Sequence, residues 1–141
     1  MIKRSWLLFL CLWASGLTAQ PRAIATFSDD TLYLLEVAMT PETRERGLMF
    51  RVWLPPWQGM LFILPREERA TFWMYHTLIP LHIGFYDQSG RLINAHLAAP
   101  CWVDRCPFYA SAAPSAFVLE TRPKFYAGYT RAALKEVYFI N

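Results

Sequence analysis

The sequence predicts an α+β domain, mainly antiparallel β, in which a small barrel-like sheet carries one or two short helices. Three observations lead there. Short runs of Leu, Ile, Val, Phe and Tyr recur along the chain, as expected of strands rather than long helices. Clusters rich in Pro, Gly, Asp and Ser separate those runs, and such residues favour turns. Only one segment opens with a strong helix-capping signal, so helices are few.

The elements follow in order. Thr31 to Ala38 is rich in Leu, Tyr and Val and reads as a strand leaving an N-terminal lead, residues 20–30. Thr40-Pro41-Glu42 then starts a helix: Thr40 can cap free amides, Pro41 suits the first helical position, and Glu42 complements the positive end of the dipole. Gly47 offers the left-handed stop, which limits this helix to roughly two turns. After Leu48, Met49 and Phe50 comes an irregular stretch with Pro55-Pro56 and Trp57. Met60 to Leu64 is apolar throughout, as in a strand covered on both faces. Pro65 and the charges of Arg66 to Arg69 should end it in a solvated turn. Ala70 to Tyr75 and Leu81 to Tyr86 are further strands, separated by Pro80. Asp87-Gln88-Ser89-Gly90 is a turn signal, so Arg91 to Ala98 completes a hairpin. Ala116 to Glu120 reads as a strand, Pro123 to Gly128 as a short helix, and Glu136 to Ile140 as the closing strand.

The ends and the charges bear on location. Lys3 and Arg4 precede an uncharged apolar run, Trp6 to Leu17, with Ala19 just before Gln20. That is the layout of a secretory signal peptide, residues 1–19, cleaved after Ala19. The run is short for a membrane span, which needs about 20 apolar residues, although an uncleaved anchor is the alternative. Of 14 basic and 11 acidic residues, Lys3 and Arg4 would leave with the signal, so the mature chain carries 12 against 11. So balanced a charge gives no basic stripe for nucleic acid or anionic lipid. Residues 31–141 then form a single globular domain, periplasmic or secreted, with no stable membrane span after cleavage. Cys101 and Cys106 remain as an even pair in an oxidising compartment and are expected to form a disulfide. Four residues separate them, against two in a C-x-x-C redox motif.

Three blocks resemble the domain of unknown function 192 family, small prokaryotic domains often found behind a signal peptide. Thr40 to Arg51 fits T-x-x-x-R-x-R-G-L-M-x-R. Gly59-Met60-Leu61-Phe62 is the second block. Phe72-Trp73-Met74, Thr77-Leu78-Ile79-Pro80-Leu81 and Gly90 form the third, extended by Cys106-Pro107 and Tyr109. The resemblance covers about residues 32 to 121 and carries no established activity with it. The family pattern has Asn where His76 stands and Asp where His82 stands.

The chemistry concentrates in two segments, Thr40 to Met49 and Trp73 to His82, and a pocket is expected between them. Its ligand-binding candidates are Arg46, Met49, Trp73, His76, Thr77 and His82. An arginine fork facing a concave site can hold a carboxylate or phosphate, and Arg46 beside Gly47 is the choice among Arg44, Arg46 and Arg51. If His76 and His82 converge, they could bind a soft cation with His96 as third ligand and Met60 or Met74 as thioether partner. Otherwise they are hydrogen-bonded parts of the fold. Trp53, Trp57, Trp73, Trp102, Phe108 and Tyr109 could make an aromatic wall or simply pack. No nucleophile elbow, phosphate loop or Cys-His arrangement appears, so no catalytic residue is assigned and no cofactor is named. The expectation is a non-catalytic ligand-binding or accessory protein of the cell envelope. A metal-dependent envelope enzyme using His76 and His82 and a protein-interaction module are the alternatives. The partner would be a small molecule or an envelope protein.

Overall fold

A computed structural model describes residues 20–123 and 132–140. Its strands are β1 (Arg22–Phe27), β2 (Leu32–Ala38), β3 (Gln58–Glu68), β4 (Thr71–Trp73), β5 (Leu81–Tyr86), β6 (Leu92–Ala98), β7 (Phe108–Ala110), β8 (Ser115–Thr121) and β9 (Leu134–Ile140), with helix α1 at Pro41–Arg46. Seven strands form one sheet in the order β6-β5-β8-β3-β2-β1-β9, and β4 pairs with β7 alone. Every pairing is antiparallel except β2 with β3, which are parallel. A parallel pair needs a crossover, and α1 lies in it. The expected mainly antiparallel α+β class is therefore present, but the sheet is mixed. No closed barrel is found among the described residues, so the barrel-like part of the expectation is not confirmed. One hydrogen bond, from the Leu134 N–H to the Gly90 carbonyl at 2.8 Å, ties the β5–β6 turn to the start of β9. No ladder joins β6 to β9 among the described residues.

Side-chain alternation along each strand sends apolar residues to both faces. One face holds Ala38, Met60, Phe62, Leu81, Ile83, Phe85 and Val118, covered by Leu48, Leu54, Met74 and Phe72. The other holds Leu35, Leu61, Leu119 and Tyr86, with Phe27 and Leu134. All six residues of β5 are buried as a result. The small β4–β7 sheet is a second layer on the first face: Phe72 meets Phe62 and Phe85 edge-on, at centroid distances of 4.8 and 5.9 Å.

Local chemistry explains most element ends. Thr40 Oγ1 accepts from the Thr43 N–H while Thr43 Oγ1 accepts from the Thr40 N–H, a reciprocal cap. Gly47 closes the helix at φ 46°. Asp87 Oδ1 accepts from the backbone N–H groups of Ser89 and Arg91, which sets the β5–β6 turn.

Three expectations need revision. An earlier strand, β1, lies within the residues read as a lead, and it pairs with both β2 and β9. Pro65 does not end β3, which continues to Glu68. The register shifts between Ile63 and Glu68, so the missing proline N–H falls where the ladder is already interrupted. The strand expected at Ala70 to Tyr75 shortens to Thr71–Trp73, because Met74 to Thr77 is a turn closed by the Thr77 N–H on the Met74 carbonyl. The helix expected at Pro123 to Gly128 lies largely outside the described residues. Among the described residues no helix is long and apolar enough to cross a membrane.

Candidate functional site

The turn at Met74 to Thr77 is the hinge of the site region. His76 sits at φ 53°, a conformation in which Asn, Asp and His are enriched among non-glycine residues. A change from the family's Asn to His is therefore tolerated by the backbone. The His76 carbonyl accepts from the Phe50 N–H, and the Thr77 carbonyl accepts from the Cys101 N–H. The turn is thereby fastened to the segment after α1 and to the loop closed by the Cys101–Cys106 disulfide.

Between α1 and this turn lies a cleft lined by Arg44, Glu45, Arg46, Gly47, Leu48, Met49, Phe62, Phe72, Trp73, Thr77 and Glu120, with an interior of about 30 Å³. Gly47 has no side chain to close it: a Cβ there would lie 3.3 Å from the Phe62 ring and 3.8 Å from Glu120 Oε2. The three arginines of the family segment have different tasks. Arg44 donates to the carbonyls of Met39 and Ile63. Arg51 holds the Glu36 carboxylate. Arg46 is exposed and lines the cleft.

Glu120 stands out at the floor. It is 4% exposed, although its strand neighbours give it no compensating charge. Register places it between Met60 of β3 and Ile83 of β5. Burial pushes its carboxyl up to about 8, so the neutral acid is the form present at pH 7. In the sequence alone, Glu120 marks only the end of a strand. The available signal was an ionisable side chain two residues from Val118, on the same face of an otherwise apolar run.

Of the six ligand-binding candidates, Arg46, Met49, Trp73 and Thr77 line this cleft. His76 packs beside it, against Phe50 and Tyr75, at centroid distances of 4.9 and 3.9 Å. His82 is on the opposite face of the sheet, buried beside Tyr33, Tyr86 and Asp29 around a cavity of about 10 Å³. Burial first, and the nearby His96 second, lower its affinity for a proton. His96 pairs with Ile83 and points to the first face, where its Nε2 contacts the Ala110 carbonyl and Asn94. Convergence of His76, His82 and His96 on one metal is not seen among the described residues, where His82 and His96 point to opposite faces of the sheet. Met60 and Met74 are core residues of the first face. Among the described residues, no three His, Cys, Asp or Glu side chains are grouped to hold a metal ion.

The proposed aromatic wall is partial. Trp73 stacks on Phe108 across β4–β7, with ring planes 8° apart and centroids 6.3 Å apart. Tyr109 turns inward to the core, whereas Trp53, Trp57 and Trp102 are exposed in irregular segments. A wide groove at the β5–β6 turn is shallower in chemistry, because Asp87 is already paired with Arg91 and Glu67 accepts from the Gln88 N–H.

A mixed seven-stranded sheet with a two-stranded layer and a cleft beside α1 defines a small α+β domain. The family model for domain of unknown function 192, described as an uncharacterized ACR, matches residues 24–131, and the chain belongs to that family. Among solved structures, a protein of unknown function from Novosphingobium aromaticivorans DSM 12444 is similar at TM-score 0.67 and 28% identity, over 82% of this chain and 84% of that one. A protein from Sinorhizobium meliloti 1021, provisionally described as a transcription regulator, is similar at TM-score 0.66 and 27% identity, over 82% of this chain and 94% of that one. Among curated proteins, none matches.

Proposed function

We propose that this protein is an exported, single-domain component of the cell envelope that binds a small ligand without transforming it. The observation that carries the reading is the cleft over Glu120, in which a buried carboxyl and an uncommitted arginine open onto one small space of mixed polar and apolar lining. A few convergent polar groups beside apolar and aromatic side chains are a usual feature of a ligand site. Export is supported by the basic start, the apolar run and the Cys101–Cys106 bridge, since disulfides persist in oxidising compartments. A role in transcription regulation, the provisional description of the Sinorhizobium protein, finds little support if it requires nucleic-acid binding, because the mature chain is of nearly balanced charge.

The test is a ligand-observed NMR screen of a chemically mixed fragment set against the mature, disulfide-bonded chain. Some fragments should bind, and Met49→Trp, which fills the cleft from its rim, should abolish their binding while the chain stays folded. A screen in which no fragment responds to Met49→Trp defeats the reading. N-terminal sequencing of protein recovered from the envelope should begin at Gln20.

A second reading, a protein-interaction module, draws on the exposure of Trp57 and Trp102 at 59% and 65%. A photoreactive amino acid incorporated in place of Trp57 should crosslink one reproducible envelope partner, and the absence of any specific crosslink would count against this reading.

A further inference from the structure

We propose that the cleft takes a small organic carboxylate, with the Arg46 guanidinium and the Glu120 carboxyl both donating hydrogen bonds to it. This rests on the reading of the cleft as a ligand site and adds the class of ligand.

The first argument is the state of Glu120. Among the described residues it makes no hydrogen bond or ion pair, yet it is 4% exposed and its Oε2 faces the gap left by Gly47. A buried carboxylate with no partner is costly, and desolvation accordingly keeps the proton on up to about pH 8. A neutral carboxyl brings an O–H donor into the cleft. Glu120 therefore suits an acceptor and not a cation.

The second argument is the charge that faces it. From α1, Arg44, Glu45 and Arg46 line the cleft. From β2, Glu36 lies beyond Met60 in the same row across the sheet and is neutralised by Arg51. From β6, His96 lies beyond Ile83. Phe62 of β3, Phe72 and Trp73 of β4, and Thr77 of the following turn bring no charge. With Glu120 protonated, the balance at the cleft is one positive charge. Arg44 is committed to backbone carbonyls, and Arg46 has no acceptor among the described residues. A guanidinium recognises a carboxylate with two parallel donors, a geometry Lys cannot supply.

The third argument is shape. The interior, about 30 Å³, admits a head group and little more. Whatever body the ligand carries must lie outward, where Trp73 is 42% exposed and flanked by Phe108 and Tyr75. A flat ring on that indole would gain stacking and apolar burial. An aromatic carboxylate fits both parts.

The experiment uses benzoate, benzamide and benzylamine with the mature disulfide-bonded chain, read by titration calorimetry and by the Trp73 indole N–H in NMR. Benzoate should bind, with benzamide weaker by about tenfold, as befits loss of a charge-assisted contact, and benzylamine weaker still. Arg46→Gln should weaken benzoate by about tenfold on the same ground. Benzoate affinity should fall as the pH rises through the range where Glu120 ionises. Glu120→Gln, which keeps a donor and cannot ionise, should bind benzoate at neutral pH and lose that pH dependence. Preference for benzylamine overturns the proposal, as does benzoate binding indifferent to Arg46→Gln and to pH. If benzamide or benzylamine shifts Trp73 and benzoate does not, the cleft remains a ligand site and only the carboxylate assignment falls. If none of the three shifts Trp73, the assignment also falls, and the cleft itself stands or falls with the fragment screen.

Discussion

Glu120 and His82 are neighbours in the sheet's register, one strand apart, yet they face opposite ways. Both are buried titratable groups, and they pull stability in opposite directions with pH. The Glu120 carboxyl holds its proton to about pH 8, against an ordinary value of 4.5. The folded chain therefore binds more protons than the unfolded chain between those values, so stability is complete below about 4.5 and erodes as pH rises toward 8. His82 is lowered from 6.5: the unfolded chain takes a proton there and the folded chain does not, so stability is complete above 6.5 and erodes as pH falls. Urea midpoints across the pH range should pass through a maximum between these limits. Glu120→Gln should flatten the alkaline side, and an unchanged alkaline slope in that variant would count against the buried acid. Arg46 and Trp73 could be singled out from sequence because they stand in a motif. Glu120 could not, since a glutamate closing a strand reads as solvated until register reveals which face it occupies.

Helix α1 was legible because its signals are local. Capping, a proline at the first turn and a glycine stop all lie within adjacent residues. Thr40→Ala removes one half of the reciprocal cap and should cost about 1 kcal/mol, measured as a shift in the urea midpoint. Thr40→Ser should restore most of it. Strand β1 was missed for the opposite reason. Its buried positions are Ala23, Ala25 and Phe27, and alanine contributes little to an apolar alternation. The persistence of β3 through Pro65 was also hidden, because a tolerated proline depends on an interruption in the partner strand's ladder.

At the scale of the molecule, the antiparallel hairpin β5–β6 followed from its turn residues, whereas the parallel β2–β3 pair did not. Nothing in two apolar runs states the direction in which they will pair. The contact between Gly90 and Leu134 is likewise invisible in sequence, joining residues from opposite ends of the sheet order. Gly90 has φ 80°, and a Cβ there would fall 2.1 Å from the Leu134 carbonyl oxygen. Gly90→Ala should destabilise by about 1–3 kcal/mol from backbone strain alone, and more if Leu134 cannot yield. Gln88→Ala, at an exposed position of the same turn, serves as the control in thermal melts. Equal melting temperatures for the two variants would show that the contact is slack.

The pairing of β1 with β9, in which Arg22 stands opposite Ile140, has a bearing on how the chain reaches this state. The first described strand has one neighbour near it in sequence and the other at the far end of the domain. During synthesis, β1 can pair with β2 early, but one of its edges stays open until β9 arrives. An open strand edge invites pairing with other chains, and long-range closures are slow. The molecule thus spends its most vulnerable interval just before completion, when a carrier that shields an unpaired edge would matter most.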